Sequence, residues 1–105
     1  MVSEKVVAEA GVHEYELVTV IKPDLAEEEL EAAIDKVARF ITARGGVIAD
    51  TAKWGKRKLA YQIKHFGEGN YVVFRFKFKP VYGRELEANL RISEEVLRHL
   101  LVKLE

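Results

Sequence analysis

Cysteine is missing from all 105 residues, so disulfides, thiolate metal ligands and thiol nucleophiles are excluded together. Histidine is scarce: His13, His65 and His99 stand far apart, none with a partner at metal-ligand or helix-face spacing, so structural or solvated roles are expected for all three. Ser3 and Ser93 are the only serines, one near the N-terminus and the other where a helix or turn cap belongs, which leaves a catalytic triad little to build on. Gly67 and Gly69 come without the third glycine of a dinucleotide fingerprint and without the Gly-Lys-Ser/Thr of a phosphate loop, so a turn accounts for them. The acids from Glu27 to Glu31 resemble paired catalytic carboxylates only until they are placed at a helix N-terminus, where the macrodipole explains them. No apolar run approaches the ~20 residues of a membrane span, and the first twelve residues lack the apolar core of a signal peptide; a cytoplasmic location is the expectation. These absences predict a protein that is not an enzyme and has no cofactor, no metal and no small-molecule substrate.

What is present is the composition of one small globular domain, 49% hydrophobic and 32% charged, long enough to bury a single core without staples. Residues 1–12 read as a short extension and residues 13–105 as the domain. Net charge is zero, which argues against a protein that coats nucleic acid, yet the charges are segregated. Residues 1–50 hold eleven acids against five bases, and the remainder twelve bases against six acids. Between Lys53 and Lys79 eight bases face Glu68 alone. Such asymmetry fits a polyanionic partner met by one face, with the acidic face turned elsewhere. It also fits a solvated strand surface on which lysines discourage edge pairing.

Along the chain, His13 to Ile21 is β-branched and aromatic and stops at Lys22-Pro23-Asp24, as a strand entering a turn does. Leu17, Thr19 and Ile21 compete with Val18 and Val20 for its inner face. Asp24 as N-cap, Glu27 at the capping-box position and Leu30, Ile34, Val37 and Ile41 at helical spacing predict a helix over 24–44, stopped by Gly45-Gly46. A strand from Val47 to Trp54 is interrupted at Gly55 and resumes over 57–64, and Phe66 to Asn70 reads as a turn. From Tyr71 to Lys79, Val72, Phe74, Phe76 and Phe78 point one way and Val73, Arg75, Lys77 and Lys79 the other. A short helix over 81–91 follows Pro80. The last segment fits either a helix capped by Ser93 or a strand with Val96, Leu100, Val102 and Leu104 on one face.

The chemistry left is a basic stretch with aromatic neighbours: Lys53, Trp54, Lys56, Arg57, Lys58 and Tyr61, then Tyr71 and Arg75. Cations on a strand neutralise phosphates and rings stack on unpaired bases, which is how RNA-binding sheets divide the work. Tyr61 and Tyr71 also have a plain reading as core or rim residues. An RNA-recognition-motif domain, a stand-alone binder of single-stranded RNA, shares the element order. Glu68 and Asn70, however, occupy the glycine positions its third strand requires.

The run Trp54-Gly55-Lys56-Arg57-Lys58-Leu59-Ala60-Tyr61-Gln62-Ile63-Lys64 resembles the signature of the bacterial small-subunit ribosomal protein S six family. Tyr15-Glu16, Pro23-Asp24 and Gly69-Asn70-Tyr71 agree in order and spacing, and Gln62 stands where relatives often have proline. The likeness runs from about residue 13 to the C-terminus. It implies a ferredoxin-like βαββαβ fold, a four-stranded antiparallel sheet with two helices on one face, and so makes residues 96–103 the fourth strand. It further implies a structural role in the small ribosomal subunit, binding the central domain of small-subunit ribosomal RNA together with ribosomal protein S eighteen. Arg57 and Lys58 match the family's basic pair and are the first candidates for RNA or partner contact. Their neighbours Lys56, Lys53 and Lys64 are added to them.

Overall fold

The computed structural model describes residues 11–104, so the extension expected over residues 1–12 lies, but for its last two residues, outside the described part. Strand β1 is His13–Ile21, helix α1 Glu27–Ala43, β2 Val47–Ile63 and β3 Phe66–Phe78; a 3₁₀ turn, Pro80–Tyr82, leads into α2, Gly83–Ile92, and β4 is Val96–Lys103. The strands form one sheet in the order β2-β3-β1-β4 with every pairing antiparallel. This is the expected ferredoxin-like βαββαβ arrangement, and the ambiguous last segment is its fourth strand, edge-paired to β1.

Both helices lie on one face, where Ala33, Ile34, Val37 and Ile41 of α1 and Leu86 and Leu90 of α2 meet Tyr15, Leu17, Ile21, Val72, Phe74, Phe76 and Phe78. The phenylalanine row is therefore inside, as its alternation predicts. On β1 the inner set is Tyr15, Leu17, Thr19 and Ile21, with Leu17 and Thr19 fully buried. A buried threonine is tolerable because its hydroxyl donates to the Val72 carbonyl at 2.8 Å, leaving no orphaned polar atom.

Three local expectations shift. Helix α1 starts at Glu27, its N-cap is Ala26, and Glu29 rather than Glu27 accepts from the Ala26 N–H, at 3.0 Å. Phe66 to Asn70 is not a turn; it is the start of β3, and the reversal is made by Lys64 and His65 at φ +50° and +72°. Val73 is on the open face yet buried, with Val18 and Ala52 as its cross-strand neighbours.

Gly69 and Asn70 serve packing instead of a turn. A Cβ at Gly69 would collide with Val20 Cγ1, and the buried Asn70 donates its amide to the Lys22 carbonyl at 3.0 Å, tying β3 to the end of β1. Gly69→Ala is expected to cost about 1–3 kcal/mol by overpacking, read as a lower urea midpoint at unchanged slope.

Candidate nucleic-acid interface

The sheet register explains why the basic stretch is accessible. β1 covers β3 only as far as Asn70, paired with Ile21 on one side and Lys56 on the other, so beyond Lys56 residues 57–69 form an arm in which β2 and β3 pair with each other alone. At the base of the arm the β2 register slips between Lys53 and Gly55, and Gly55 takes φ +85°, the bulge expected at that glycine. The residue passed over is Trp54. It remains half exposed, and its ring lies 9° from parallel to Tyr71 at a centroid distance of 6.4 Å.

Arg57 lies beside this pair, its guanidinium carbon 5.5 Å from the centre of the Trp54 ring. That is within the range where ring and cation attract. Because side chains alternate along a strand, Lys56 and Lys58 point to the opposite side of the arm. All three are exposed, so the basic run forms a collar around the arm, not a row on one face.

Lys53 is placed differently. Its ammonium reaches back to α1 and pairs with Glu27, at 3.3 Å, and with Glu31. Hydrogen bonding to Lys53 lowers the Glu31 carboxyl below its ordinary value, and bonding to Glu31 and Glu27 raises the lysine above its own. The signs fix the pH window. Glu31 contributes above its unfolded value of 4.5 and loses this as pH falls through the lowered folded value. Lys53 contributes below 10.5 and loses this as pH rises through the raised one. Lys53→Met is therefore expected to flatten both limbs of the stability-versus-pH curve, measured by urea unfolding from acid to alkaline pH. It is also expected to leave the salt dependence of RNA binding unchanged.

Further out, Tyr61 is 59% exposed and its hydroxyl accepts from Arg98 Nη1 of β4 at 3.0 Å, so the arm is curled towards the far strand. Lys64, at the tip, thereby comes to line a cleft with Arg91 of α2 and Arg98. Neither arginine is marked by its sequence neighbourhood, and only the topology brings them to the arm. Apolar side chains also remain open on the sheet face away from the helices, Leu100 at 55% and Val102 at 37% exposure. Among the described residues no group of three or more His, Asp or Glu side chains is placed to hold a metal ion.

The family model described as ribosomal protein S6 matches residues 14–103. The chain belongs to the ribosomal protein S6 family. It is 42% identical over 91 residues to the small ribosomal subunit protein bS6 of Moorella thermoacetica, covering 87% of this chain and 93% of that one. The bS6 protein of Symbiobacterium thermophilum is 44% identical over 89 residues, covering 85% and 94%. The crystal structure of 30S ribosomal protein S6 from Thermotoga maritima superposes with a TM-score of 0.83 at 34% identity, over 88% of this chain and 87% of that one. Membership in the S6 family makes this chain a ribosomal protein of the small subunit. The Trp54 to Lys64 run that carries the resemblance is the outer half of β2, as far as Ile63, and the first residue of the reversal.

Proposed function

We propose that this small-subunit ribosomal protein binds the central domain of small-subunit ribosomal RNA as a structural component, in a heterodimer with ribosomal protein S eighteen. The domain of residues 13–105 carries the function, with residues 1–12 as an extension to it. The observation that carries the reading is the arm of residues 57–69, whose strands pair only with each other and which, with Lys56 at its base, exposes Lys56, Arg57 and Lys58. Phosphate contacts supply most non-specific RNA affinity, and three cations on a protruding hairpin reach a polyanion that a neutral globule would not otherwise attract. Arg57 is the leading contact because its planar group binds phosphate in a bidentate way while lying beside an exposed ring. Lys58, Lys56 and Lys64 support it, and Lys53 acts from within as the clasp between β2 and α1.

The partner surface in this reading is the open sheet face. Val18, Val20, Tyr71 and Leu100 line a shallow cleft there, and Val102 extends it along β4. Exposed apolar side chains grouped on one face mark protein contact more often than RNA contact. The acids of α1 are a weaker surface for a basic partner, since Glu27 and Glu31 are engaged by Lys53.

The test is assembly of the chain, S eighteen and a central-domain RNA fragment on a sizing column. One ternary species is expected, and Leu100→Glu is expected to abolish it while the isolated variant keeps its circular dichroism. A chain that stays monomeric beside S eighteen active with its native partner overturns the reading.

A further inference from the structure

The cleft beneath the arm tip, about 340 Å³, adjoins both surfaces described above, sharing Lys64 with the arm and Arg98 and His99 with the shallow cleft on the open sheet face. Its floor is apolar and closed, made of Leu90, Val96 and Leu97, each 8% exposed or less. Its rim is cationic: Lys64 from the arm, Arg91 from the last turn of α2 and Arg98 from β4. No carboxylate lines it. His99, also at the cleft, has its Nε2 3.2 Å from Glu87 Oε1. Arg98 spends one of its five N–H groups on Tyr61, and neither Lys64 nor Arg91 has an ion pair among the described residues.

Each cation has an ordinary explanation when taken alone. Arg91 complements the negative end of the α2 dipole, and a lysine discourages edge pairing at a hairpin. Those explanations do not account for three cations converging from three elements on one apolar floor. Nor do they account for the turn. Successive positive φ values at Lys64 and His65 are the backbone of a type I′ reversal, which favours Asn-Gly. Keeping a lysine and a histidine there holds the tip in a conformation that L side chains adopt only at a cost, and it puts Lys64 over the cleft.

We infer that the cleft receives one unpaired, unstacked nucleotide of the bound RNA, its base or ribose on the Leu90-Val96-Leu97 floor and its phosphate among Lys64, Arg91 and Arg98. An apolar floor with a few convergent cations matches an extruded nucleotide, whose base sheds water while its phosphate needs charge. A duplex, with its bases stacked inside, offers nothing to the floor. The inference rests on the RNA-binding function proposed above and adds the place where a single residue of that RNA is held.

Its test uses the heterodimer with S eighteen. With the central-domain fragment, Arg91→Gln/Arg98→Gln is expected to lower affinity on the order of tenfold and to reduce the salt slope by about two. Lys64→Asn/His65→Gly is expected to raise the melting temperature by relieving the turn while it weakens RNA binding. Methyl NMR with hexauridylate is expected to shift Leu90, Val96 and Leu97, and a blunt RNA duplex is expected to leave them in place. Wild-type RNA affinity in both double variants, with those methyls unmoved, overturns the cleft but leaves the arm's role standing. Failure of the wild-type heterodimer to bind any RNA overturns the parent function instead. Equal methyl shifts with free adenosine monophosphate and no loss of RNA affinity in the variants point to a free nucleotide, and heterodimer formation weakened without RNA by Lys64→Asn/His65→Gly, which lies outside the partner cleft that Arg98 lines, points to a protein contact. Either result overturns the inference.

Discussion

Arg57→Ala/Lys58→Ala is expected to lower the affinity of the S eighteen heterodimer for central-domain RNA on the order of ten- to a hundredfold at physiological salt. The slope of log affinity against log salt is expected to fall by about two, one for each phosphate contact removed. Both side chains are exposed and belong to the self-paired part of the hairpin, and neither has an ion pair among the described residues, so the fold uses their charge only in the local contact of Arg57 with Trp54. A filter-binding titration of wild type and variant against the same fragment from low to high salt measures this. The choice of RNA is expected to be unchanged, because contacts to phosphate position the complex and do not read sequence. Lys53→Met, one bulge away on the same strand, is the control that keeps the wild-type slope.

Phe76→Ala has the largest expected effect on stability, about 3–5 kcal/mol. The ring is almost fully buried, stacked on Tyr15 at 5.9 Å between centroids and edge-on to Phe78 at 5.0 Å. Its truncation loses apolar burial and two ring pairs, and leaves a cavity between the sheet and the helices that rigid β1 and β3 cannot close. Urea unfolding measures it: the midpoint is expected to drop at constant slope, with Phe76→Leu giving a much smaller loss. Half-buried Phe66, at the other end of β3, is outside this cluster, so Phe66→Ala is expected to cost less.

The element order and the buried row were legible because they depend on period alone: Val72, Phe74, Phe76 and Phe78 alternate without interruption. The family signature fixed what period left open, the strand character of residues 96–103. The inner face of β1 was not legible, since Val20 is buried on the open side under the contact with Gly69 while Leu17 and Ile21 are buried on the other. The turn lies outside its expected place for a related reason: two glycines argue for a reversal at residues 66–70, whereas Gly69 is there to let Val20 approach, and the reversal uses Lys64 and His65, whose type argues against it. At the site, the sequence separates a free lysine from a clasped one no better than it joins residues far apart. Lys53 looks like Lys56 until α1 is laid beside it. Arg91 and Arg98 carry no local signal, because what distinguishes them is the arm's curl over β4.

The measurement that bears most directly on the central claim is the affinity of this chain for the central-domain fragment across a salt titration, with and without S eighteen. The account predicts tight binding with the partner present, falling linearly on a log-log plot as salt rises, and weak binding without it. Failure to bind beside an active partner, or binding indifferent to salt, would contradict it.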